Sequence, residues 1–135
     1  MAEGLQHLGG IDMLKGFLGN RTIYLALFID SNTEVSGASY ERMAVDSAMN
    51  KFTYSTSRTN GHAEAKNTGK IDFDDPTGAW TTGNNKITVL KIMTALTGGS
   101  VLWELDLTTD RVVTQSGTNV FIQPERLVLR VPVVA

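Results

Sequence analysis

The chain has 135 residues, of which 41% are hydrophobic and 19% charged, so it fits one globular domain and excludes a disordered tail. Lys and Arg number 12 against 14 Asp and Glu, a net charge of −2 that argues against a general binder of nucleic-acid phosphates. Cysteine is absent, which excludes disulfide frameworks, thiolate metal sites and a cysteine nucleophile.

The N-terminus, Met1-Ala2-Glu3-Gly4-Leu5, lacks a basic stretch followed by an apolar one, so no export segment is expected. Gly4 to Leu18 has helical character. Ile11, Leu14 and Leu18 fall on one face, Asp12 suits a first turn and Gly19 suits a stop. Gly9, Gly10 and Gly16 weaken that helix, each by about 1 kcal/mol relative to alanine. A short helix or an ordered arm is therefore predicted.

From Arg21 the period changes. Thr22 to Ile29 is a nearly continuous apolar run, as in a strand buried on both faces. It is far shorter than the ~20 residues a spanning helix needs, so no membrane segment is expected. Asp30-Ser31-Asn32 supplies a turn. Ser39 to Ser47 reads as a strand with Met43 and Val45 on one face, and Lys51 to Ser55 continues it after a break. Ser57 to Lys70 is polar, contains Asn60-Gly61 and Thr68-Gly69, and reads as a long loop or hairpin tip.

The second half is plainer. Ile71 to Asp74 alternates, and Asp75-Pro76-Thr77-Gly78 turns. Lys86 to Met93 is rich in strand formers, and Thr97-Gly98-Gly99-Ser100 is a hairpin turn. Val101, Trp103, Leu105 and Leu107 alternate with Leu102, Glu104 and Asp106, the cleanest period of two in the chain. After Arg111 to Thr114, a turn at Gln115-Ser116-Gly117-Thr118 leads to Val120 and Ile122. Leu127, Leu129, Val131 and Val133 form a last strand, and Pro132 predicts a sheet edge there. About eight short strands at this spacing predict an all-β, two-sheet β-sandwich, jelly-roll-like, with a short N-terminal helix or arm. Residues 1–20 are expected to form the arm and 21–135 the single sandwich domain.

Candidate chemistry is sparse. His7 and His62 have no second ligand at metal-binding spacing. Asp72, Asp74 and Asp75 are the densest acidic cluster, but Ile71 and Phe73 explain their alternation as a solvent face. Nucleophile-elbow, phosphate-loop, dinucleotide and zinc-protease motifs do not occur, so no catalytic residue, metal or cofactor is predicted and an enzyme is not expected. Trp103 belongs on an apolar strand face, whereas Trp80 follows a turn and is the candidate, with Tyr40, for an exposed receptor- or sugar-binding surface. Asn20-Arg21-Thr22 matches a glycosylation acceptor, which carries no meaning without an export segment.

Several stretches occur in an order that resembles a family of small tailed-phage virion proteins. They are Ile23-Tyr24-Leu25-Ala26-Leu27-Phe28, then Thr33-Glu34-Val35-Ser36-Gly37-Ala38-Ser39-Tyr40-Glu41-Arg42. Asn67 to Phe73, Ala79-Trp80, Gly98 to Leu102, Gln115 to Thr118 and the closing Leu127 to Val131 follow in step. The likeness runs from about residue 11 to the end. It departs at Thr81-Thr82-Gly83-Asn84-Asn85, where a nonpolar segment is usual, and in a short loop between Ile29 and Thr33.

The resemblance implies a structural part of a virion, made in the host bacterial cytoplasm. Members are often labelled tail fibre proteins, and similar jelly-roll proteins decorate capsids. Fibres gain length from heptads or repeats, which this chain lacks, so a capsid decoration (cement) protein bound to the major capsid protein is the sharper expectation. A tail fibre or baseplate module touching the host is the alternative. Leu5, Leu8 and Phe17 are the candidate arm contacts with a neighbouring virion protein, unless they pack on the chain's own sheets. Trp80 is the candidate for host contact. A homo-oligomer, trimer first, is expected from the symmetry of virion lattices, with neither nucleic acid nor membrane as a partner.

Overall fold

Leucines four residues apart define the buried face of the first element. The computed structural model describes residues 7–19, 21–37, 40–57, 61–73, 77–81, 86–111 and 120–132. Helix α1 spans His7–Leu18. Leu14 and Leu18 are fully buried, while Asp12, Met13, Lys15 and Gly16 are exposed, so the helix is amphipathic. Gly19 ends it at φ 57°, its N–H donating to the Lys15 carbonyl at 2.7 Å, which is the stop the sequence predicts. The Arg21 guanidinium donates to the Phe17 carbonyl, with Nε at 3.0 Å, and places a cation where the helix dipole is negative.

Nine strands follow among the described residues. They are β1 (Ile23–Phe28), β2 (Met43–Val45), β3 (Phe52–Ser57), β4 (His62–Asn67), β5 (Ile71–Asp72), β6 (Ile87–Met93), β7 (Val101–Arg111), β8 (Phe121–Ile122) and β9 (Val128–Pro132). They form antiparallel sheets in the orders β2-β1-β6-β7 and β3-β4-β9, with β5 and β8 paired as a third. The all-β class with one N-terminal helix is therefore as the sequence predicts. The chain forms two compact units built from separated segments. The first comprises Met1–Arg21, Asp46–Ile71 and Ile122–Ala135, and the second Thr22–Val45 and Asp72–Phe121.

In the first unit α1 lies on the sheet β3-β4-β9. Register places Tyr54, Ala65 and Leu129 across from one another, and likewise Thr56, Ala63 and Val131, so these share a face. Ala63, Ala65 and Leu129 are fully buried there, and the Lys15 ammonium sits 5.3 Å from the Tyr54 ring centroid. The opposite face carries Thr53, Ser55, His62, Glu64, Lys66 and Arg130.

β4 corrects the sequence reading of Ser57 to Lys70 as a long loop or hairpin tip. A hairpin does join β3 to β4, but His62–Asn67 within that stretch is the central strand of its sheet. Its inward side chains are alanines, small enough to let a helix approach closely, so it lacks the branched and aromatic residues that advertise a strand. Asn67 ends β4 as a clip. It is 1% exposed, its Nδ2 donates to Gly69 (2.8 Å) and Gln123 (2.9 Å) carbonyls, and its Oδ1 accepts from Leu127 N–H at 2.8 Å. Three backbone groups thus find partners in one amide. Pro132 closes β9 on a sheet edge, as its missing N–H requires.

The second unit is built on β1 and β6. Ile23, Leu25, Leu27, Leu90 and Ile92 are buried on one face of that sheet, and Ala26, Phe28, Val89 and Met93 cluster with Tyr24 on the other. That two-sided burial is what the unbroken apolar run predicts. Turn chemistry follows expectation at both ends. Asp30 Oδ1 accepts from Asn32 N–H at 2.8 Å, and Gly98 and Gly99 take φ 63° and 75° in the β6–β7 hairpin.

Candidate functional site

β2 covers only the first half of β1, because register ends at Leu25 opposite Met43. The expected strand from Ser39 shortens to Met43–Val45 for a reason found in the residues before it. Beyond Leu25 the β1 edge is completed by Val35 and Tyr40. Val35 N–H donates to the Leu27 carbonyl at 2.9 Å, and Leu27 N–H donates to the Tyr40 hydroxyl at 3.0 Å. A phenol and one amide thus replace a strand.

Tyr40 in turn donates to Glu34 Oε2 at 2.8 Å. Arg42 grips both oxygens of the same carboxylate, Nε to Oε2 and Nη2 to Oε1, each at 2.9 Å. Its Nη1 reaches the carbonyls of Ala95 (2.8 Å) and Gly98 (2.7 Å), so one guanidinium joins the 34–42 segment to the hairpin after β6. Bidentate pairing of this kind fixes orientation as well as energy. Burial pushes the Glu34 carboxyl up, but hydrogen bonds from Arg42 and Tyr40 outweigh it and hold the group below its ordinary value. Burial, aided by Glu34, pushes the Tyr40 phenol well above its usual range, so it stays a donor.

Gly37 completes the arrangement. A Cβ there would lie 2.5 Å from the Ala79 carbonyl oxygen and 3.2 Å from Trp80 Cα, so only glycine admits that backbone. Trp80 then meets the Tyr40 ring edge-on, with centroids 5.2 Å apart and planes at 83°. Between this segment and the hairpin lies a groove of about 370 Å³, walled by Ser36, Gly37, Tyr40, Arg42, Leu96 and Thr97. Leu96 is 43% exposed and forms an apolar lip, while Ser36 and Thr97 are exposed. The groove can seat one small ligand unit or a peptide side chain, with acceptors and hydroxyls on its walls.

Among the described residues two other charged clusters stand out. Lys91, in the middle of β6, is buried; its Nζ donates to the Ser31 carbonyl at 2.5 Å, lies 3.2 Å from Glu104 and stands 4.2 Å from the Phe28 ring centroid. On the first unit, Glu64 receives His62 Nε2 at 2.6 Å and Arg130 Nε at 2.9 Å, with Lys66 at 3.5 Å. Burial raises that carboxyl too, and the hydrogen bonds from His62 and Arg130 outweigh it and hold the group below its ordinary value. Among the described residues no group of three or more His, Asp or Glu could hold a metal, and no helix is long and apolar enough to cross a membrane.

Of the residues singled out from sequence, Trp80 and Tyr40 are brought together, with Trp80 buried rather than on a surface. Trp80, expected to be exposed, is 3% exposed, because Gly37 lets the chain fold it against Tyr40. Phe17 is half-buried in α1, which packs on its own sheet, and Trp103 is half-buried on β7. Leu5, Asp74, Asp75 and the Gln115–Thr118 turn lie outside the described residues, as does the Leu8 side chain. Glu34 and Arg42 stood out only as part of the stretch that resembles the phage family, and Tyr40 only as a surface aromatic. No periodicity marks them as a cluster.

The fold and this groove define a small, mostly β module whose groove walls are joined by the Arg42–Glu34 ion pair. The family model described as podophage GP4 fiber I protein gp80 matches residues 20–130, and the chain belongs to that family of phage fibre proteins. It is therefore a virion component with a structural role. No curated protein matches the chain.

Proposed function

We propose that the chain is a fibre module that contacts the host surface, with the groove between residues 34–42 and 96–98 as its contact face. The observation that carries this reading is the fibre-family match over residues 20–130. The groove adds to it. Its walls are held by a doubly hydrogen-bonded ion pair, which pre-organises a binding face and reduces the ordering cost of binding. Internal pairing of Glu34 with Arg42 and of Glu64 with Arg130 supports a non-enzymatic role, since charges spent on each other serve the fold rather than a reaction.

The capsid-decoration reading rests on the short chain, its lack of heptads or repeats and its N-terminal arm, and draws nothing from the family match. The two readings differ in copy number and in cell binding. Quantitative mass spectrometry of purified virions should count a few to a few dozen copies, and the purified protein should bind cells of the host strain. Leu96→Glu and Ser36→Trp, which fill or charge the groove, should reduce that binding. Hundreds of copies per virion and no cell binding would replace this reading with decoration of the head.

A further inference from the structure

The net charge of −2 hides an uneven division. The first unit holds eight Lys and Arg against five Asp and Glu, a net of +3. The second holds four against nine, a net of −5, and the two sum to the whole-chain value. Separated segments of chain produce this sorting, so it is a property of the folded units. Opposite fields on one molecule draw unlike surfaces of different copies together.

Each unit has an exposed patch of its own sign. On the first, the sheet face away from α1 presents Lys66 and Arg130 around the single carboxylate Glu64, with their side chains 38% and 60% exposed. Thr53 and Ser55 on the same face are exposed too. The cations outnumber the anion there. On the second unit, β7 is the edge strand of its sheet and shows Val101, Glu104 and Asp106 on one face. Val101 is 47% exposed, the Glu104 side chain is 45% exposed, and Asp106 is exposed. Glu104 is partly neutralised by Lys91, whereas Asp30, Glu41 and Asp72 add exposed negative charge to the same unit.

We propose that copies of this chain associate head to tail, the acidic β7 face of one docking on the basic β3-β4-β9 face of the next. The two patches differ, so the contact is heterologous. It closes into a ring where the rotation permits, the expected trimer included, and otherwise runs on as a filament. The occupant is a second copy because both halves of the complementary pair are carried, exposed, by every molecule. This inference does not depend on where in the virion the chain sits, so its failure would leave the host-contact reading untouched.

Sedimentation velocity of the unmodified full chain tests it first. Raising salt from about 20 mM to about 500 mM shortens the screening length from roughly 20 Å to roughly 4 Å and should weaken association at least tenfold. A monomer at every ionic strength, or association indifferent to salt, overturns the proposal. Two neutralising variants then locate the surfaces. Lys66→Gln with Arg130→Gln, and Glu104→Gln with Asp106→Asn, should each be monomeric alone, with native circular dichroism. Mixed, they should form a 1:1 heterodimer that does not extend, because each retains the patch the other lacks. Native-like assembly by either variant alone, or a mixture of folded variants that stays monomeric, overturns the assignment. Should a variant fail to fold, the salt series on the unmodified chain decides.

Discussion

Arg42 meets Glu34 through two parallel hydrogen bonds of 2.9 Å, and the same guanidinium holds the carbonyls of Ala95 and Gly98. The Arg42 side chain is 7% exposed and that of Glu34 26%, so the pair is only partly screened by water. One side chain therefore sets the separation of the two groove walls.

Removing it should cost stability. Arg42→Ala leaves a half-buried carboxylate with Tyr40 alone and frees two loop carbonyls, an expected loss of about 2–3 kcal/mol at neutral pH. Urea unfolding reads this as a lower midpoint. Arg42→Lys should recover less than half, because one ammonium cannot span both oxygens and both carbonyls. An unchanged midpoint in Arg42→Ala would mean the clamp is idle.

The same pair gives a pH signature. Glu34 titrates below its reference value of 4.5 in the folded chain, so its stabilisation is complete above that pH. It is lost as pH falls through the lower, folded value, where the bound carboxylate takes up its proton. Glu34→Gln should be less stable at neutral pH and lose less on acidification. Thermal melts across the acid range check the slope, and parallel curves for both proteins would count against this assignment.

Asn67 offers a test within the first unit. Asn67→Leu strands the Leu127 N–H and two carbonyls, an expected cost of about 2–4 kcal/mol. Asn67→Asp keeps the acceptor but turns a carboxylate toward those carbonyls, which raises its folded pKa. Its deficit should be largest at neutral pH and shrink as the group protonates on acidification. A deficit that does not change with pH would contradict the hydrogen-bond roles given to this side chain.

Two glycines should respond in opposite directions. Gly16 lies in α1 with open space where a Cβ would stand, so Gly16→Ala should stabilise by about 0.5–1 kcal/mol. Gly37→Ala puts a methyl against the Ala79 carbonyl and should destabilise by about 1–3 kcal/mol. Melting temperatures moving the same way for both would refute the local accounting.

Legibility followed side-chain size. The apolar run of β1, the alternation of β7 from Trp103 onward and the Gly19 stop were readable because large apolar residues and a left-handed glycine leave strong local signals. A register shift opposite Ile92 and Met93 instead turns Val101 to the Glu104 and Asp106 face. β4 was not readable, since its buried positions are Ala63 and Ala65 and its other face is charged. Trp80 misled for the converse reason. A tryptophan after a turn looks exposed until a glycine forty-three residues earlier, Gly37, admits it.

Composition and local pattern alone determined the all-β class, the N-terminal helix with its end, the glycine hairpin and the edge proline, because each depends on neighbours a few residues away. The joining of Glu34 to Arg42 and of Arg42 to Gly98, the Asn67 clip and the division of charge into +3 and −5 arose only on folding. Those features join segments tens of residues apart. Hydrogen bonds and fields act over distances in space, and sequence spacing carries no measure of that.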